Sequence, residues 1–192
     1  MKVYKITTAD ATDYRGQKYA AGELCPEHDN PNFRYRAYHT IELATLFHHF
    51  YDAWENPILW EAEGFHYAGP DDGIMCAFKQ IKLIREVPFI PYSVEDHIRF
   101  GIYCSLAIIE TPSYVKWAKA WVRGERDLEV VKQVSDAYEV GEEFSGGALG
   151  VFESILQPEQ AKYYAACGAY KAYHDSECHL NLQKIAEMVR PR

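Results

Sequence analysis

PEQAKYYAACGAYKAYHDSECHLNLQKIAEMV, residues 158–189, is the stretch that decides how the second half of this chain folds. Pro158 opens a helix, because the first helical turn has no use for the N–H that proline lacks. Behind it Ala161, Ala165, Ala166, Ala169 and Ala172 recur at helical spacing and leave a thin stripe, against which a neighbouring helix can pack closely. Tyr170, Tyr173, His174, Glu177, Cys178 and His179 follow on the same run. The pattern predicts one long helix or two, with Gly168 the weak point.

Working outward, the helical period starts just after Pro88, Pro91 and Tyr92. Ser93 with Asp96 gives a capping signal for a helix reaching Glu110, with Ile98, Ile102, Leu106 and Ile109 on one side. Pro112-Ser113 starts another, in which Tyr114, Trp117, Ala118 and Trp121 sit at i, i+3, i+4 and i+7 and Gly124 is the stop. A third covers Asp127–Tyr138, while Gly141–Gly150, with four glycines, breaks the pattern.

Before the boundary the signals are those of strands and turns. Lys2–Thr7 reads as a strand, Gln17–Ala20 as a short run between Gly16 and Gly22, and Glu23–Asn32 as an exposed loop. Thr40 is the expected N-cap of a helix over Ile41–Trp54, with Leu43, Leu46, Phe47, Phe50 and Trp54 on one face. Ile58–Ala62 and Ile74–Glu86 are strands, the second long enough to be two, or one bent at Lys79-Gln80. The sum is an α+β protein: a small mixed sheet with one helix over residues 1–90, then a helical domain over 93–192. Neither half alone is comfortably large, so a shared core is admitted.

Composition excludes several classes of function. With 48% hydrophobic and 15% aromatic residues in 192, the chain is not disordered. Its net charge of −8 is divided evenly, nine basic against thirteen acidic residues before Ser93 and eleven against fifteen from there on. Bare nucleic acid is therefore not an expected partner, since phosphate binding needs clustered Lys and Arg. No window approaches the roughly 18 uncharged apolar residues of a membrane helix. The five cysteines (Cys25, Cys76, Cys104, Cys167, Cys178) are odd in number, scattered and without a C-x-x-C, and the chain begins directly in a strand-like segment. That pattern points to reduced thiols in a cytoplasm.

Both halves also resemble known families. Val3-Tyr4-Lys5, Arg15-Gly16, Tyr19 to Gly22, Tyr38-His39, Trp60 to Gly64 and Lys82-Leu83-Ile84-Arg85-Glu86 stand in the order of an uncharacterised domain common in phage and prophage proteins, which residues 1–90 resemble. Where that family carries cysteines, this chain has Ala37 and Thr40, so no thiol or metal role carries over. Cys104, the Ala118–Glu125 segment and the stretch from Cys167-Gly168-Ala169 to His179 make residues 95–189 similar to the helical domain of toxin-immunity proteins. The resemblances imply a phage or prophage accessory protein, in the host cytoplasm if phage-encoded. It would bind another protein, as an immunity protein or a host-defence inhibitor does.

Two constellations compete with that reading. Arg15, Thr40, Glu61 and Glu63 resemble the Arg, Ser/Thr and Glu-x-Glu of arginine-directed ADP-ribosyltransferases. The resemblance implies that Arg15 holds a diphosphate and Glu63 stabilises an oxocarbenium-like ribose, with His39 beside them. This nucleotide-using transferase is the alternative; any strand with one solvated face also yields Glu-x-Glu. His174, Cys178 and His179 suggest zinc, but a structural site needs four ligands and Cys167 lies two turns away, so no metal and no cofactor is expected. His48 and His49 diverge by about 100° on their helix and are not expected to share a site. Phosphate-loop, dinucleotide and nucleophile-elbow motifs are missing. The interface candidates are Trp117, Trp121, Tyr170, Tyr173, His174 and His179, facing a protein or a second copy of the chain.

Thiol titration under denaturing conditions is expected to count five free cysteines, with elemental analysis finding no stoichiometric zinc. One zinc per chain would restore the His174, Cys178 and His179 site.

Overall fold

A computed structural model describes residues 1–27, 34–51, 54, 56–69, 71–140, 146–177 and 179–191. The loop expected over Glu23–Asn32, the Gly141–Gly150 stretch and Cys178 thus fall partly or wholly outside the described residues. The chain divides into two compact units, Met1–Pro91 and Tyr92–Arg192. All four strands lie in the first, and the α+β class is as the sequence predicts.

In the first unit, β1 (Lys2–Thr7), β2 (Tyr35–Tyr38), β3 (Ile58–Tyr67) and β4 (Met75–Glu86) close a small barrel in the order β1-β2-β4-β3. Every pairing is antiparallel, where a mixed sheet was the expectation. β1 pairs β3 along its length, from Lys2 opposite Glu63 to Thr7 opposite Ile58. β4 is one continuous strand: its start pairs with β2, Tyr35 opposite Phe78 and Tyr38 opposite Met75, and its length pairs with β3. The barrel closes where Tyr4 meets Tyr38.

β2 has no counterpart in the sequence reading, because four residues with Arg36 among them carry hardly one period of alternation. Residues 17–20, in turn, form only an isolated bridge, Thr12 with Lys18. The core holds Val3, Tyr35, Ala37, Ala62, Phe78, Ile81 and Leu83. α1 (Ile41–Tyr51) buries Leu43, Ala44, Leu46 and Phe47 and packs on β1 and β2, and Thr40 Oγ1 accepts from the Leu43 amide at 3.3 Å.

The second unit is helical: α2 (Val94–Leu106), α3 (Pro112–Val122), α4 (Leu128–Val140), α5 (Gly146–Leu156), α6 (Ala161–Asp175) and α7 (Leu182–Val189). Ser93 and Asp96 form the expected capping box at α2. α6 packs against both α2 and α5, and its alanine stripe, Ala161, Ala165, Ala166, Ala169 and Ala172, is buried.

Two expectations are corrected here. The glycine-rich stretch is helical from Gly146 on: α5 begins there, and its glycines face α6, while 141–145 lie outside the described residues. Nor does the C-terminal run break at Gly168. That glycine sits inside α6, buried against Gly147 and Gly150, and the close packing offsets its propensity cost of about 1 kcal/mol. The break lies between Asp175 and Leu182, where Glu177 has φ +54° and Asn181 Oδ1 caps α7 by accepting from the Lys184 amide. Pro158 opens a single 3₁₀ turn ahead of α6.

A Cβ at position 150 would lie 2.4 Å from Gly168 N and 2.8 Å from Tyr164 O, both backbone atoms that cannot rotate away. Gly150→Ala is therefore expected to lower stability by about 3 kcal/mol in urea denaturation. Gly146→Ala, which meets only the Lys171 side chain, should stay within about 0.5 kcal/mol of the parent. Equal effects would show that the α5–α6 approach is not tight.

Candidate functional site

Polar groups in the first unit are spent on structure. Lys5 shares a strand face with Val3 and is buried, with its Nζ 3.5 Å from Asp13 Oδ2. The same oxygen accepts from Tyr19 Oη at 2.7 Å, and Asp13 Oδ1 accepts from the amides of Arg15 and Gln17. Burial pushes the Asp13 carboxyl up, but Lys5, Tyr19 and the two amides outweigh it and hold the group below its ordinary value. Lys5 also lies over the Tyr19 ring at 5.7 Å. The cluster clips the turn at residues 13–19 to β1; it is too enclosed to meet a substrate.

Four of the five transferase candidates are engaged with different neighbours. Arg15 stacks on Tyr14, its guanidinium carbon 5.1 Å from the ring centre. His39 Nε2 lies 2.7 Å from Asp71 Oδ1, in the loop between β3 and β4, and Asp71 also accepts from the Gly73 amide. Thr40 caps α1. Glu61, on β3, joins Lys2 (3.3 Å) to Arg85 (2.8 Å), which hold its carboxyl below the ordinary value, Arg85 most strongly. Glu63 is exposed two residues on.

Thiol chemistry is suppressed as well. Cys25, Cys76, Cys104 and Cys167 are free. Burial pushes Cys25 up to about 11 and Cys76 up to about 12, and raises Cys104 and Cys167 too. A protonated thiol is a poor nucleophile and a poor metal ligand. Among the described residues no group of three His, Cys, Asp or Glu could hold a metal ion. The expected divergence of His48 and His49 is corrected: their ring centres are 3.7 Å apart, with His48 also against Phe89 and its Nδ1 bound at the Thr45 carbonyl. Adjacent helical side chains can converge by rotating about χ1, which the 100° offset of their Cβ atoms does not prevent.

The interface candidates divide. Trp117 and Trp121 are core residues, 5% and 4% exposed, with Trp117 packed on Phe152 at 4.8 Å and on Trp121 at 6.0 Å. Tyr173 is buried, whereas His174 is exposed and stacks on Tyr170 at 4.3 Å. Tyr163, Cys167, Tyr170 and His174, at i, i+4, i+7 and i+11, mark the outer face of α6. His179 is exposed beyond the end of that helix.

Between α3 and α4 lies a groove of about 420 Å³ that the sequence reading missed. Pro112 stands in the first turn of α3 and starts it, so that Ser113, Lys116, Trp117 and Ala120 share one face, at i, i+3, i+4 and i+7. Gly124, at φ +98°, turns the chain, and Asp127 Oδ1 starts α4 by accepting from the Glu129 and Val130 amides. Arg126 fixes the connection: its guanidinium lies 4.3 Å from the Trp121 ring, donates to the Trp121 carbonyl and pairs with Glu95.

Val130 and Val134 form the second wall of the groove, and Glu125 and Asp127 close one end. Val130 is 39% exposed within that wall. The lining offers apolar surface with a charged rim. It can hold apolar side chains. The sequence signal was present in Leu128 and Val130, apolar positions off the buried face that Val131 marks.

Comparison of the chain with protein-family models, with curated proteins and with solved structures finds no match.

Because the Asp13 carboxyl titrates lower in the folded chain than in the unfolded one, its stabilisation is full above the unfolded value, near 3.9, and is lost as pH falls through the folded value. Asp13→Asn, which leaves the Lys5 charge buried without its partner, is expected to cost about 3 kcal/mol at neutral pH. The gap from the parent should narrow below about pH 4 in urea denaturation at stepped pH. A gap constant to lower pH would show that the carboxylate is not what holds Lys5.

Proposed function

We propose that this chain works by binding another protein, as a phage or prophage accessory protein of the immunity or host-defence-inhibitor kind. The observation that carries the reading is the α3–α4 groove, apolar within, charged at its rim and open along exposed Val130. An apolar centre with a polar rim is the anatomy of a protein interface. The aromatic outer face of α6 adds a second surface of suitable composition. The phage-domain likeness of residues 1–90 and the immunity-protein likeness of residues 95–189 support the setting.

The transferase alternative needs Arg15 on a diphosphate and Glu63 at a ribose within one cleft. The stacking of Arg15 on Tyr14, and the pairing of Glu61, the other carboxylate of the Glu-x-Glu, with Lys2 and Arg85, favour protein binding instead.

Two measurements test the choice. Affinity capture of the tagged chain from a phage-infected or lysogenic bacterial host, followed by reconstitution from purified components, is expected to give a complex of fixed stoichiometry. Calorimetric titration with NAD is expected to give no saturable heat. Saturable NAD binding that disappears in Arg15→Ala, with no reconstituted complex, would overturn the reading.

A further inference from the structure

Resting on the protein-binding reading, we infer that the α3–α4 groove receives one amphipathic helix of the partner, with an acidic residue at its Lys116 end and a basic residue at its Asp127 end. The walls decide the kind of occupant. Both are helices whose backbone groups are used internally, so an extended peptide would find no strand edge to pair with. A small enclosed ligand would have most of its own surface covered, yet here the lining is open, with Ser113, Lys116, Asp127 and Val130 all exposed. A helix laid along the groove covers those exposed positions together.

Length agrees with this. Ser113 to Ala120 spans seven residues, about 10.5 Å, or two turns of helix. A partner helix would therefore present apolar residues at i, i+3 or i+4, and i+7, matching the face made by Trp117, Ala120, Val130 and Val134.

Charge sets the polarity. Lys116 stands one turn inside the start of α3, and Glu125 and Asp127 close the opposite end. Glu125 already shares Arg123 at 2.9 Å, so Asp127 carries most of the acidic character. Its Oδ1 serves the α4 amides, while Oδ2 makes no hydrogen bond among the described residues. Lys116 and Asp127 are both exposed, so their contribution is to orientation and partner choice more than to affinity.

Two synthetic helical peptides of four turns test this, both with leucines at the i, i+3, i+7 positions. One carries Glu just before the first leucine and Arg just after the last; the second carries Arg at both of these positions. Because a peptide can lie in the groove in either direction, the unlike-ended peptide satisfies both ends and the like-ended one only Asp127. By fluorescence anisotropy the parent is expected to bind the first at least fivefold more tightly, and Lys116→Glu to reverse that order. Val130→Asp should weaken the first peptide at least tenfold, with circular dichroism confirming that the variant is folded. Equal affinities, binding indifferent to Val130→Asp, or no binding of either peptide would overturn the inference. A reconstituted complex that survives Val130→Asp unchanged would also overturn it, while leaving the protein-binding reading intact.

Discussion

The second unit depends on one close approach, that of Gly150 on α5 to Gly168 on α6. With no Cβ on either residue the two backbones meet, and a methyl group at position 150 would lie 2.4 Å from the Gly168 nitrogen. The same economy recurs where Gly101 of α2 faces the Ala165 carbonyl, 3.1 Å from where its own Cβ would be. Small residues thus bring α2, α5 and α6 together, and the bulky side chains gather elsewhere. Tyr114, Trp117, Trp121 and Phe152 form that aromatic core, joined by Val131 and Val151. α3 and α4 are held through these larger groups, and where Trp117 and Ala120 face Val130 and Val134 the apolar surface stays open as the groove.

The first unit solves a different problem. A barrel of four strands has a narrow interior, yet it buries Lys5 beside Asp13. Such a pair gains little net free energy over an apolar replacement, but losing one partner is costly. Its effect is positional: Asp13 also collects Tyr19 and two backbone amides, so one carboxylate fixes the course of the chain from residue 13 to 19. A similar economy appears at the loop between β3 and β4. There His39 and Arg36 reach from β2 and its end to Asp71 and Asp72, while Asp72 also caps the amides of Ile74 and Met75. Residues that could have been catalytic by type are thereby committed to holding loops.

That commitment is why types and spacings misled where they did. A Glu-x-Glu on a strand fixes only that two carboxylates share a face; their partners, Lys2 and Arg85 for Glu61, come from other strands through the register. Trp117 and Trp121 at i and i+4 share a helical face in any sequence reading, but whether that face is core or surface depends on α5, through Phe152. The groove was illegible for the same reason. Its two walls come from separate helices, and its exposure is what remains after the core has been filled.

By itself the sequence determined the elements whose signals are local. These are the β1 strand, the Thr40 and Ser93 caps, Pro112 at the start of α3, the change of period after Pro91, and the alanine stripe of α6 as a close-packing face. Each follows from the chemistry of a few neighbouring residues. Only the tertiary structure decided the rest. β2 exists because β4 pairs with it. Gly146–Leu156 is a helix because its glycines are worth more against α6 than they cost in propensity. The space between α3 and α4 is apolar and open because its walls come from two helices whose placement each element's own sequence does not set.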